Sequence, residues 1–90
     1  MSLQQLRYFV TVAEEEHVTR ASVRLCVSQP PLTRQIRALE EELGQPLFDR
    51  TGRGIRLTAF GRHFAERARD ILAQLDDAVA QAQRAARCDG

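Results

Sequence analysis

Apolar residues recur at helical spacing from the start of the chain. Leu3, Leu6, Phe9, Val10 and Ala13 form one stripe along SLQQLRYFVTVAEEE, with Ser2 placed to cap the helix. Glu14, Glu15 and Glu16 fall where the helix dipole disfavours them, so they either end the helix early or find arginine partners. A short second helix spans Val18 to Leu25. Val18, Ala21, Ser22 and Leu25 face inward and Arg20 and Arg24 outward, and the small Ala21 and Ser22 allow close approach of a neighbour. Cys26-Val27-Ser28 makes the turn, with Val27 as an apolar plug. The third helix opens at Pro30-Pro31: Pro30 is expected as its cap and Pro31 as its first residue, because a residue before proline avoids helical angles. Leu32, Ile36, Leu39 and Leu43 form its buried stripe. Pro30, Thr33, Arg34 and Arg37 share the exposed face, and Gly44 ends it.

The pattern then changes period. Leu47-Phe48 and Ile55-Arg56-Leu57 are short strand-like runs around a turn at Thr51-Gly52-Arg53-Gly54. After Thr58, a second N-cap, one long helix runs from Ala59 to about Arg87. Phe64, Ala68, Ile71, Leu75, Ala78 and Ala82 trace a coiled-coil seam along it. With 90 residues there is little protein to cover that seam, and a second copy of the same helix is the simplest partner. The expected fold is mainly α: a winged helix-turn-helix over residues 1–58 with a two-stranded wing, followed by a linker and dimerisation helix over residues 59–88.

Charge sharpens this reading. The formal net charge is only +1, but residues 18–39 carry Arg20, Arg24, Arg34 and Arg37 and no acid. Residues 50–69 carry Arg50, Arg53, Arg56, Arg62, Arg67 and Arg69 against Glu66 alone. Every basic side chain is arginine, whose planar fork of donors suits phosphate and guanine edges. A GC-rich genome accounts equally well for the lack of lysine, though not for the clustering. Cys26 and Cys88 lie far apart without metal-ligand spacing, and read as reduced thiols of a cytoplasmic protein. No signal peptide or membrane-spanning run is visible, and no metal or other cofactor is expected.

In a helix-turn-helix the second helix of the pair enters the major groove, and its N-terminal residues touch base edges. That end carries Gln29, Pro30, Pro31, Thr33 and Arg34. Arg34 can pair with guanine, Gln29 with adenine, and Thr33 or the prolines with thymine methyls. The free N–H groups of Leu32, Thr33 and Arg34 and the helix dipole favour a phosphate nearby. Ser28, in a capping role, would find Pro30 and Pro31 where its N–H partners belong, which leaves its hydroxyl to a phosphate or to water. Arg53, slim between two glycines, is the candidate minor-groove probe, with a solvated turn arginine as the alternative. Arg50, Arg56 and Arg37 either touch phosphate or pair with Glu40, Glu41 and Glu42; Thr51 is a further phosphate contact. Arg20 and Arg24 divide between phosphate contact and a solvated face. Double-stranded DNA and a second copy of the chain are thus the expected partners. A catalytic reading fails on the isolation of His17 and His63. A pure coiled-coil interaction module would leave the basic face and the wing without a purpose.

The stretch from Thr19 to Gly61 resembles the N-terminal domain of LysR-type transcriptional regulators. The matching motifs are Thr19-Arg20-Ala21-Ser22, Leu25 to Pro30, Thr33 to Ile36, Leu39 to Gly44, Leu47 to Arg50, and Leu57 to Gly61. The resemblance implies a homodimer through the linker helix, often a tetramer in the full-length protein, bound to an interrupted palindrome. It also implies a small-molecule effector bound by a C-terminal domain outside these 90 residues. The QPPLTRQI variant and Cys26 resemble the branch that controls aromatic-compound catabolism. Three residues depart from the family pattern: Ser22 for alanine, Cys26 at a turn position unfriendly to its side chain, and His17, expected to cap the second helix poorly.

Overall fold

The computed structural model describes residues 1–52 and 54–89. The chain forms α1 (Leu3–Glu15), α2 (Val18–Leu25), α3 (Gln29–Leu43), β1 (Phe48–Thr51), β2 (Gly54–Leu57) and α4 (Ala59–Asp89). The helix-turn-helix is α2 and α3. The strands pair antiparallel from Phe48↔Leu57 to Thr51↔Gly54, so the hairpin is longer and its turn shorter than the sequence suggests. Leu47 lies before β1 and is fully buried.

Local chemistry sets most boundaries. The Ser2 hydroxyl accepts from the Gln5 N–H at 3.1 Å and caps α1. Glu16 ends α1 with φ 48°, and Gly44 ends α3 with φ 77°. His17 caps α2 after all: its Nδ1 accepts from the Arg20 N–H at 3.2 Å, which an imidazole can do as well as a serine oxygen. Cys26 takes φ 58° at the end of α2, the left-handed geometry its side chain disfavours. Its N–H bonds the Val23 carbonyl, and the Val27 N–H bonds that of Ser22, so the turn is held despite the residue. α3 starts at Gln29 with Ser28 as cap, ahead of the expected cap at Pro30 and first residue at Pro31. The first N–H groups of a helix have no internal partner, so both prolines fit inside the first turn at no hydrogen-bonding cost.

The core gathers Leu6, Phe9, Val12 and Ala13 of α1 with Ala21 of α2 and Leu32, Ile36 and Leu39 of α3. Leu47, Phe48 and the inner face of α4 close it. Phe9 is its centre, edge-on to Phe48 with ring centroids 5.6 Å apart and tilted against Phe64 at 5.5 Å. Leu3 does not join the stripe; it is 45% exposed.

The dimer seam proposed from sequence divides in two. Ala68 is fully buried, and Phe64 packs against Phe9, so both belong to the protomer's own core. Gly61, Ala65, Ala68 and Leu72 are the buried face of α4. Beyond that core, Ile71, Leu75, Ala78 and Ala82 of the seam keep exposed or half-buried apolar surface. Val79, 48% exposed, joins them. α1 packs on the first half of α4, where the small Ala65 and Ala68 are fully buried.

Three polar ties fix the frame. Arg7 on α1 meets Asp76 on α4 at 2.8 Å. Glu40 on α3 accepts from the backbone N–H groups of Leu47 at 2.7 Å and Phe48 at 3.3 Å, holding the entry to the wing. Thr58 caps α4 by accepting from the Gly61 N–H at 2.8 Å and donates to the Pro46 carbonyl at 2.9 Å.

Candidate nucleic-acid interface

The exposed end of α3 and the wing make the candidate surface. Ser28 has extended angles and no side-chain cap bond, because Pro30 and Pro31 occupy the positions whose N–H it would take. Its hydroxyl is exposed beside the positive end of α3. Gln29, Pro30 and Arg34 are exposed, and Pro31 and Thr33 are half-buried. Residues 29, 30, 33, 34 and 37 thus present one outer face, opposite Leu32, Ile36 and Leu39.

The wing stands next to that face. Thr33 of α3 and Arg50 of β1 line the same narrow cleft, floored by Leu32, Phe48 and Ile55. Arg50 and Ile55 are cross-strand partners, as are Asp49 and Arg56. Thr51 donates from its hydroxyl to the Gly54 carbonyl at 3.3 Å. Arg53, the proposed minor-groove probe, lies outside the described residues.

Arginine partners separate the positive residues into two groups. Arg24 is committed inside the chain: it bonds Glu14 at 2.8 Å and Glu15 at 3.2 Å. The hydrogen bond to Glu14, followed by that to Glu15, raises its pKa above the ordinary arginine value. This is the arginine partner expected for the acidic end of α1, and it removes Arg24 from the phosphate candidates. Among the described residues, Arg20, Arg34, Arg37, Arg50 and Arg56 form no ion pair. All five are exposed, so their charge is open to an outside anion. Arg37, Arg50 and Arg56 therefore do not pair with the glutamates at 40–42. Two of those acids do structural work instead, Glu40 at the wing and Glu42 with the N-terminal amine at 2.9 Å.

Sequence reasoning missed three features of the site. Thr19 and Gln29 are joined by a side-chain hydrogen bond across the helix-turn-helix. Glu40 braces the wing, which a glutamate run read as solvated could not disclose. Gly61 faces the carbonyl of Leu47 closely enough to exclude a Cβ. Only the last had a sequence signal, as the glycine of the Leu57 to Gly61 motif. Among the described residues no group of acids, histidines and cysteines could hold a metal.

The family model for the bacterial regulatory helix-turn-helix protein, lysR family, matches residues 3–62. The HTH-type transcriptional regulator BudR of Klebsiella aerogenes is 54% identical over 87 residues, covering 97% of this chain and 61% of its own length. The regulator YnfL of Escherichia coli K12 is 52% identical over 84 residues, covering 93% of this chain and 28% of its own. The chain thus spans only part of the curated relatives it matches. In structure it is similar to the BenM DNA-binding domain crystallised with catB site 1 DNA, at TM-score 0.92 and 45% identity over 96% of this chain and 97% of that one. It is also similar to the CbnR DNA-binding domain in its DNA complex, at TM-score 0.88 and 48% identity over 96% and 99%. The fold, the helix-turn-helix and these matches together place the chain in the lysR family of bacterial regulatory helix-turn-helix proteins.

Proposed function

We infer that this domain binds double-stranded DNA sequence-specifically to regulate transcription. The observation that carries this reading is the outer face of α3. A helix N-terminus whose cap, Ser28, makes no side-chain cap bond lies beside exposed arginines that form no ion pair among the described residues, flanked by a wing. The likeness to two domains crystallised with DNA supports it. In the proposed complex Gln29, Pro30, Pro31, Thr33 and Arg34 meet base edges in the major groove. Ser28, Arg20, Arg37, Arg50 and Thr51 meet phosphates, and Arg53 enters the minor groove. The regulator acts as a DNA-binding protein and not as an enzyme, in the cytoplasm, where DNA is its partner. No described helix is long and apolar enough to cross a membrane.

A dimer through α4 belongs to the same proposal. Its surface is Ile71, Leu75, Ala78, Val79 and Ala82, not the buried Ala68. Two copies would set two α3 helices against the halves of a palindrome. A tetramer and a small-molecule effector, of the aromatic-catabolism class that residues 29–36 resemble, are proposed for the full-length regulator through its further domain.

Titration into fluorescent duplex DNA at several salt concentrations tests the central reading. Binding should weaken steeply with salt, because each phosphate contact releases counterions. No affinity at low salt, or no salt slope, would overturn it.

A further inference from the structure

Gln29 is the first residue of α3, and its side-chain amide donates to the Thr19 hydroxyl on α2. Both side chains are exposed on the outer side of the helix-turn-helix. Thr19 is itself held in place: its carbonyl accepts from the Ser22 hydroxyl at 2.7 Å. Ser22 is buried, next to the fully buried Ala21 that seats α2 in the core. The hydroxyl that receives Gln29 therefore stands on a fixed element.

A primary amide has one carbonyl oxygen and two N–H donors. With one N–H on Thr19, the plane of the Gln29 amide is set. The carbonyl oxygen and the second N–H remain, and this is the pair that reads adenine at N6 and N7. Thr19 accepts this bond through its hydroxyl oxygen. A glutamine without this tether rotates about three bonds and can offer its oxygen or its N–H groups to other bases.

We propose that Thr19 is a positioning residue that fixes the Gln29 amide in the adenine-reading orientation and so sets base preference at one position of each half-site. This rests on the assignment of Gln29 to a base edge. Thr19 contributes through selectivity more than through affinity, since the phosphate contacts of the arginines carry most of the binding.

The test starts from a duplex obtained by in vitro selection with the parent domain from random DNA. Competition binding against every single base-pair change in one half-site is then measured for the parent, Gln29→Ala, Thr19→Val, Thr19→Ala and Thr19→Ser. Gln29→Ala should flatten preference at one base pair. Thr19→Val and Thr19→Ala should lower discrimination at that same base pair by about threefold or more, a part of the roughly fivefold or greater discrimination that a good bidentate base contact supplies. Thermal unfolding and affinity for unrelated DNA should change little, and Thr19→Ser should restore the preference. If Gln29→Ala flattens one position while Thr19→Val and Thr19→Ala keep it, the positioning role is wrong. Uniform weakening by both Thr19 variants, with preference retained, overturns it as well and marks a phosphate contact. If Gln29→Ala flattens no position, the base assignment of Gln29 fails, and the inference with it.

Discussion

Replacing Gly61 by alanine tests how the wing is joined to the long helix. In an open helix this change is favourable by up to about 1 kcal/mol, because glycine loses more backbone entropy on folding. Here a Cβ on Gly61 would sit 2.1 Å from the Leu47 carbonyl oxygen, and 3.0 Å from the Leu47 carbonyl carbon and from Leu57 Cδ2. Nothing at the site yields easily. Leu47 is fully buried. Its N–H is held by Glu40 at 2.7 Å, and its carbonyl accepts from the Thr58 N–H at 3.0 Å. Relief needs a backbone displacement of about 1 Å, which strains packing at about 1–3 kcal/mol. It also weakens the Thr58 to Leu47 bond, worth about 0.5–1.5 kcal/mol. Set against the helical gain, Gly61→Ala should destabilise by about 1–3 kcal/mol. Urea unfolding followed by helical circular dichroism measures this, at one fixed protein concentration so that any dimerisation contributes equally. For a domain of this size the melting point should fall by about 4–8 °C per kcal/mol. A variant as stable as the parent, or more stable, would refute the close approach of α4 to Leu47.

Four further outcomes follow from the same structure. Arg34→Ala should cost about 1–3 kcal/mol of specific binding and relax preference at its base pair, read by competition against single-base variants. Arg24→Ala should leave the salt slope of binding unchanged because Glu14 and Glu15 already hold that charge, whereas Arg37→Ala should lower it by about 1. Glu40→Ala removes the acceptor of two backbone N–H groups and should destabilise by about 1–3 kcal/mol in urea unfolding, with Glu40→Gln milder. Ile71→Asp together with Leu75→Asp should sediment as a monomer, and a dimer that persists would remove α4 from the interface.

The helices were legible from sequence because their signals are local. Apolar spacing named the buried faces of α1 and α3, Ser2 and Thr58 marked two starts, and Gly44 marked an end. The basic face of α3 was legible for the same reason, since residues 30, 33, 34 and 37 share a side of any helix that contains them. Local signals misled where two rules competed. Pre-proline sterics put the start of α3 too late, because the first turn of a helix has no N–H to lose. Likewise Cys26 accepts a left-handed geometry its side chain disfavours, because the backbone bonds of the turn demand it.

What the tertiary structure decided is which element covers which. A spacing of four and three reads the same whether a helix packs on its own chain or on another. Only the fold shows that Ala68 is buried in the protomer's own core while Ile71 stays exposed and Leu75 half-buried. Sequence counts charges but not their partners: Arg24 and Arg34 look alike until folding brings Glu14 and Glu15 to one of them. Gly61 against Leu47, Glu40 under the wing and Thr19 beside Gln29 are contacts between segments that no periodicity relates. They depend on distances set by packing, and so they emerge only with the fold.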